Sequence, residues 1–142
     1  MSGKSELWER LIHLTGEIEA ELAAALQSGQ GLGLSEYRGL RALSMSPTSE
    51  LRLQELAAQL RLNQSSVSRM VERLERRQLM ARDQCADDKR GIYAVLTDAG
   101  RAAFNRATAD YEAALNAALD RHGCEELLAT LSPVSAHGSD SR

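Results

Sequence analysis

Leu53, Leu56, Ala57 and Leu60 stand at the i, i+3, i+4, i+7 spacing of one buried helical stripe, and Gln54, Glu55 and Gln59 leave the outer face polar. Arg61 and Leu62 follow, then Asn63, whose side-chain oxygen suits an N-cap and so predicts the start of a second helix. In that helix Val67, Met70, Val71 and Leu74 repeat the buried spacing, while Gln64, Ser65, Ser68, Arg69, Glu72, Arg73 and Arg76 fall on open faces. The stretch from Ala81 to Gly91 is a hydrophilic, turn-rich loop, and Ile92 to Leu96 returns as an apolar, β-branched strand. Leu53 to Gly100 therefore predicts a helix, a tight turn, a second helix and a hairpin with Lys89 and Arg90 near its tip, the order of a winged helix-turn-helix.

The flanking regions predict long helices. Ser5 is a candidate cap for a helix to about Gln27, with Leu7, Leu11, Leu14, Ile18, Leu22 and Ala25 on one face. Three glycines between Ser28 and Gly33 break it. Ser35 is a candidate cap for a helix to about Ser44, and Ser46-Pro47-Thr48-Ser49 reads as a loop. Thr97 caps a helix to about His122, with Asp98 in its first turn and an alanine-dense stripe through Phe104, Ala107, Tyr111, Leu115, Ala118 and Leu119. A short helix from Glu125 to Leu131 precedes Pro133, and residues 132–142 read as a disordered tail.

The fold expected is mainly α with a small β-hairpin wing. Residues 33–97 form the winged helix-turn-helix, and residues 1–32 and 98–131 form a helical region for dimerisation. A lone reading head contacts one half-site. Pairing the terminal helices of two chains gives two heads and demands a roughly palindromic operator with half-sites about 34 Å apart.

Charge sharpens this picture. The 142-residue chain carries a net charge of −3, which argues against a nucleic-acid partner only if it is evenly spread. Arg61 to Arg90 holds eight basic and five acidic residues, a local +3, so the acidic excess sits on the terminal helices. Short polar side chains in the first turns of the second helix fit a major groove about 12 Å wide, with arginines behind them reaching phosphates. Asn63, Gln64, Ser65, Ser66, Ser68, Arg69 and Arg73 are the candidates for that contact, against the plainer alternative of a capped and solvated surface helix. Arg76 and Arg77 serve equally as salt-bridge partners of Glu72 and Glu75 or as phosphate contacts.

Two cysteines, Cys85 and Cys124, make neither a disulfide framework nor a zinc spacing. Cys85 lies near Arg82 and Lys89, which favour a reactive thiolate, but also near Asp83, Asp87 and Asp88, which oppose one; a redox-sensing regulator is thus the alternative to a plain surface cysteine. No signal peptide and no long apolar run are present, so a cytoplasmic protein is expected, with DNA rather than a membrane as partner. An enzyme would need a nucleophile with a base, a metal set or a phosphate loop. The dispersed histidines and the glycines of 29–33 supply none of these, so neither catalysis nor a cofactor is expected.

Several motifs together resemble the multiple-antibiotic-resistance regulator (MarR) family of bacterial transcription factors. They are Leu34-Ser35-Glu36-Tyr37 with Leu40 and Leu43, Glu55-Leu56-Ala57, Ser65-Ser66-Val67-Ser68-Arg69, Arg73-Leu74-Glu75, Asp88-Lys89-Arg90-Gly91, and Leu96-Thr97-Asp98-Ala99-Gly100-Arg101. The resemblance covers roughly residues 7–131. It implies a homodimeric repressor of a nearby operon, with Arg90 entering a minor groove, Asp88 orienting it and Lys89 on a phosphate. It also implies a small aromatic or anionic effector near Trp8, His13, Tyr37, Arg38 and Arg41, although Trp8 and Tyr37 equally suit a core or an interface. Two positions depart from the family pattern: Gln78 replaces a glycine after the second helix, and Arg52 replaces a Ser or Thr cap before the first. The rival within the same fold is a dimeric adaptor that no longer binds DNA.

Overall fold

A computed structural model describes residues 2–84 and 91–123, which form five helices and three strands. They are α1 (Gly3–Gln30), α2 (Leu34–Met45), β1 (Glu50–Arg52), α3 (Leu53–Leu60), α4 (Gln64–Arg76), β2 (Met80–Asp83), β3 (Tyr93–Leu96) and α5 (Asp98–Arg121). The strands make an antiparallel sheet in the order β1-β3-β2. Long helices α1 and α5 pack on each other, and α2 joins them to the compact α3, α4 and sheet unit.

The amphipathic patterns explain the core. Leu56 and Ala57 of α3 and Val67, Met70, Val71 and Leu74 of α4 are buried, joined by Leu40 and Leu43 of α2 and by Met80, Ala94 and Leu96 of the sheet. Gly39 lets α2 come this close to α4. A Cβ there would lie 2.8 Å from Met70 Cε, so even alanine would push the methionine aside.

Helix ends differ from the sequence expectation in instructive ways. The N-cap of α1 is Ser2 rather than Ser5: its hydroxyl accepts from Ser5 N at 3.3 Å. The helix also runs through Ser28 and Gly29 to Gln30. Asp110 of α5 sits where a Cβ on Gly29 would lie, and Gln30 Nε2 donates to the same carboxylate at 3.3 Å, so packing outweighs the roughly 1 kcal/mol helix penalty of glycine. The break comes at Gly31, in the left-handed region at φ 64°. Ser35 lies inside α2. The cap is Gly33, whose N–H donates to Glu36 Oε1 at 2.7 Å.

Strand β1 is absent from the sequence expectation. Its three residues pair with β3 as Glu50 with Val95, Leu51 with Ala94 and Arg52 with Tyr93. Arg52 offers α3 no side-chain cap, but Leu53 N donates to Ile92 O at 3.0 Å and so satisfies one orphan amide of the helix start. Arg52 itself turns to Tyr93, with Nε donating to the phenol oxygen at 3.0 Å. Among the described residues no helix is long and apolar enough to cross a membrane. Cys85, Cys124, the expected helix from Glu125 and the expected tail lie outside the described residues.

Candidate nucleic-acid interface

The start of α4 is built by Asn63. Its Oδ1 accepts from Ser66 N at 2.8 Å and from the Ser65 hydroxyl at 2.8 Å, so one side-chain oxygen fixes the first turn and one exposed serine on it. The buried face of α4 anchors the helix, and the 3.6-residue repeat then places Gln64 with Ser68, and Ser65 with Arg69, in two adjacent outward rows. Gln64, Ser65 and Ser68 line an open cleft of about 400 Å³ together with Arg52, Leu53 and Gln54 of the α3 start and Gly91 and Ile92 at the base of the hairpin. Slim polar groups thus converge where the helix start, the preceding helix and the wing base meet, a shape suited to a base edge and its phosphate.

The other candidates on α4 sit differently. Ser66 is half-buried, with its amide given to the cap. Arg73 lies a further two turns along the same row as Ser66, on the flank facing α2, where Nε is 3.6 Å from Glu36 Oε2. Arg73 is therefore turned toward a carboxylate that also caps α2, and stands apart from the cleft. For Arg76 the salt-bridge alternative holds, with a 2.8 Å pair to Glu72. Arg77 takes neither expected role: Nη1 donates to Gly31 O at 2.8 Å and Nη2 to Gln30 O at 3.3 Å, so its charge serves the carbonyl end of α1. Asp88, Lys89 and Arg90 lie outside the described residues.

Arg82 on β2 is a residue that sequence patterning missed. Its Nη2 donates to Ser68 O at 2.7 Å and Ser68 Oγ at 3.2 Å, and its backbone N–H donates to Glu75 Oε2 at 3.3 Å. The wing strand is thereby tied to α4 at two points two helical turns apart. An arginine in a predicted loop carries no local signal of such a reach.

The five residues expected around an effector do not meet in one place. Tyr37 is only 2% exposed, stacked between Tyr111 at 4.5 Å and Phe104 at 5.4 Å between ring centroids, and is a core aromatic rather than a wall of an open site. Burial raises its phenol above the ordinary value. Trp8 is 61% exposed on the first half of α1, and His13 pairs with Glu17 at 3.0 Å on the same helix. Arg38 and Arg41 do come together, in a groove of about 320 Å³ with Ala42 and Met45 of α2 and Gln59, Leu60 and Arg61 around the end of α3. Arg38 also reaches Glu19 at 3.3 Å.

Comparison with known proteins agrees with this geometry. The family model described as MarR family matches residues 32–92. The chain is 30% identical to Sco3205 of Streptomyces coelicolor, a MarR family transcriptional regulator solved in complex with DNA, over 92% of this chain and 86% of that one, with a TM-score of 0.82. AbsC, a MarR family regulator from the same organism, is 25% identical over 96% and 95% of the two chains, with a TM-score of 0.79. Rv2887 of Mycobacterium tuberculosis, a MarR family protein solved with salicylic acid, is 31% identical over 85% and 92%, with a TM-score of 0.65. No curated protein gave a match. With its winged helix-turn-helix, its long terminal helices and relatives of this identity over nearly their whole length, the chain belongs to the MarR family of transcriptional regulators.

Proposed function

We propose that this regulator is a cytoplasmic homodimer that binds a pseudo-palindromic operator through two copies of α4 and represses a nearby operon. The observation that carries the reading is the capped start of α4, where Gln64, Ser65 and Ser68 line one open cleft and Arg69 flanks it. Gln64 and Ser65 read base edges. Arg69 reaches a base or phosphate, and Ser66 and Asn63 hold the turn. Arg73 contributes to the field more than to a contact, because Glu36 holds it. The family resemblance adds Arg90 in the minor groove, with Asp88 and Lys89 beside it. Dimerisation is supported by apolar side chains that one protomer leaves open on α1: Leu7 at 57%, Trp8 at 61% and Ile12 at 48% exposure.

Release by a small anion is part of the same reading. Arg38, Arg41 and Arg61 bring three guanidinium groups around the apolar Ala42, Met45 and Leu60, which suits an aromatic carboxylate: the planar cations pair with the carboxylate and stack on the ring. Rv2887 has been solved with salicylic acid. Fluorescence anisotropy on DNA flanking the protein's own gene, run over a series of salt concentrations with and without salicylate, tests both parts. Specific binding with a steep salt dependence supports the regulator reading; binding to no DNA favours the adaptor. Specific binding indifferent to salicylate and to related aromatic carboxylates removes the effector alone.

A further inference from the structure

We propose that Arg82 is a specificity-positioning residue that holds Ser68 in place and biases its hydroxyl toward donating to the DNA, an inference that rests on the reading of α4 as the recognition helix. A serine hydroxyl has one proton to give and lone pairs to accept with, so an unrestrained Ser68 could face either a donor or an acceptor on a base edge. Arg82 biases that freedom: a cationic donor occupies one of the two lone pairs and polarises the O–H toward giving its proton. Its guanidinium has no acceptor capacity, and Nη2 donates to Ser68 Oγ at 3.2 Å while gripping Ser68 O at 2.7 Å. The Ser68 oxygen is thereby engaged from the wing side, and its own proton is left for an acceptor in the cleft that Ser68 lines. Both hydrogen bonds come from one planar, half-buried group, and Arg82 N held by Glu75 Oε2 at 3.3 Å pins the strand that carries it.

This polarity selects bases. In the major groove guanine offers N7 and O6 and thymine offers O4 as acceptors, whereas cytosine presents the N4 amino donor. A Ser68 biased toward donating therefore favours guanine, thymine or the N7 of adenine and disfavours cytosine at the position it faces. The guanidinium is turned onto the helix rather than toward solvent, so it does not act as a phosphate contact.

The test compares the full-length protein with Arg82→Met, Arg82→Lys, Ser68→Ala and the Arg82→Met/Ser68→Ala double variant. Each is scored by selection from a randomised half-site, by operator affinity over a salt series and by thermal melting. Arg82→Met is expected to bind the operator about tenfold more weakly, to admit cytosine at one position while other positions keep their preference, and to leave the salt slope unchanged. Tenfold is at the lower end of what a good base contact contributes. Arg82→Met should cost nothing further in the Ser68→Ala background, because the residue it positions is already gone. Arg82→Lys, with donors but no fork, should retain part of the discrimination. A uniform loss on all sequences with a lowered melting temperature, or a salt slope flatter by about one, overturns the proposal in favour of a structural or phosphate role. Specific binding with an unaltered base profile in Arg82→Met also overturns it and leaves the regulator reading intact; absence of specific binding by the unaltered protein removes both.

Discussion

Tyr37 of α2 and Thr108 of α5 are joined hydroxyl to hydroxyl at 3.1 Å, and the direction of that bond is fixed by a third group. Thr108 Oγ1 donates its proton to Phe104 O at 2.8 Å, so Tyr37 is the donor and Thr108 the acceptor. The reading head and the long terminal helix thus share a buried, directional link inside the Tyr37, Phe104 and Tyr111 stack.

Tyr37→Phe should remove about 1 kcal/mol of stability, visible as a melting temperature lower by about 3 °C. Alkaline pH makes the sharper test. Burial raises the Tyr37 phenol above its ordinary 10.0, so the folded state holds the proton more tightly than the unfolded state. That stability is fully present below about pH 10 and is lost as pH rises through the higher folded value. Melting curves between about pH 9 and 11 should fall more steeply for the unaltered protein than for Tyr37→Phe; equal slopes would mean that the buried phenol contributes nothing.

At Asn63, capping and DNA contact come apart by substitution. Asn63→Ala loses the acceptor for Ser66 N and the Ser65 hydroxyl, and should cost about 1 kcal/mol of stability together with operator affinity. Asn63→Asp keeps the acceptor and adds a charge favoured by the helix dipole, so its melting temperature should hold or rise. The same carboxylate would face phosphate, and its operator binding should drop. If both measurements move together for both variants, Asn63 is only a cap.

The joint between α4, the sheet and α5 carries a second pair of separable effects. Thr97 Oγ1 accepts from Gly100 N at 2.9 Å and donates to Gln78 O at 2.7 Å, pressing the α5 start onto the turn after α4. A Cβ on Gly100 would lie 1.9 Å from Leu79 O, a backbone atom that cannot step aside. Gly100→Ala should therefore cost about 3 kcal/mol and lower the melting temperature by about 10 °C. Gln78 adopts φ 61°, so the left-handed turn anticipated for a glycine is made here by a residue with a Cβ. Gln78→Gly should be neutral or stabilise by about 0.5 kcal/mol, since relief of left-handed strain slightly exceeds the added chain entropy. A destabilised Gln78→Gly would assign the glutamine side chain a role of its own.

The parts legible in the sequence are those encoded by short-range period. Val67, Met70, Val71 and Leu74 announce α4 because four residues on one stripe need no partner to be recognised, and Asn63 and Thr97 announce caps because capping is local. What stayed hidden depends on distant chain. Strand β1 has three residues and exists through pairing with Tyr93 to Val95, which no three-residue pattern encodes. The passage of α1 through Gly29 depends on Asp110, eighty-one positions away. Arg77 and Arg82 show the same limit at the candidate site. One follows a predicted helix and the other lies in a predicted loop, yet neither position signals that the first caps α1 and the second grips Ser68; only the tertiary fold shows it.

The proposed base reading by α4 has its own test. Ser65→Ala and Arg69→Ala should each weaken operator binding by about 1–3 kcal/mol with little change in melting temperature, because both side chains are exposed. Arg90→Ala, by contrast, should flatten the salt slope by about one and relax A·T preference at the flanks without altering the core of the half-site. Equal losses on operator and random DNA would reassign Ser65 and Arg69 to the phosphates; an unchanged salt slope would take Arg90 out of the interface.

The proposed dimerisation through α1 can be tested with a single fluorophore, because Trp8 is the chain's only tryptophan and stands among the exposed Leu7 and Ile12. Burying three such side chains in each protomer contributes about 1.5–3 kcal/mol apiece, enough to drive a helix pair together when both copies present the same face. Trp8 emission should then be blue-shifted at micromolar protein and move to the red on dilution. Sedimentation should give twice the protomer mass over the same range. Leu7→Glu combined with Ile12→Glu places charges in that face and should yield a folded monomer with red-shifted emission. Operator affinity should collapse with it, since one head holds only one half-site. A protein that sediments as a monomer at about 100 μM, or a double variant that stays dimeric with full operator affinity, would move the dimer interface away from the first half of α1.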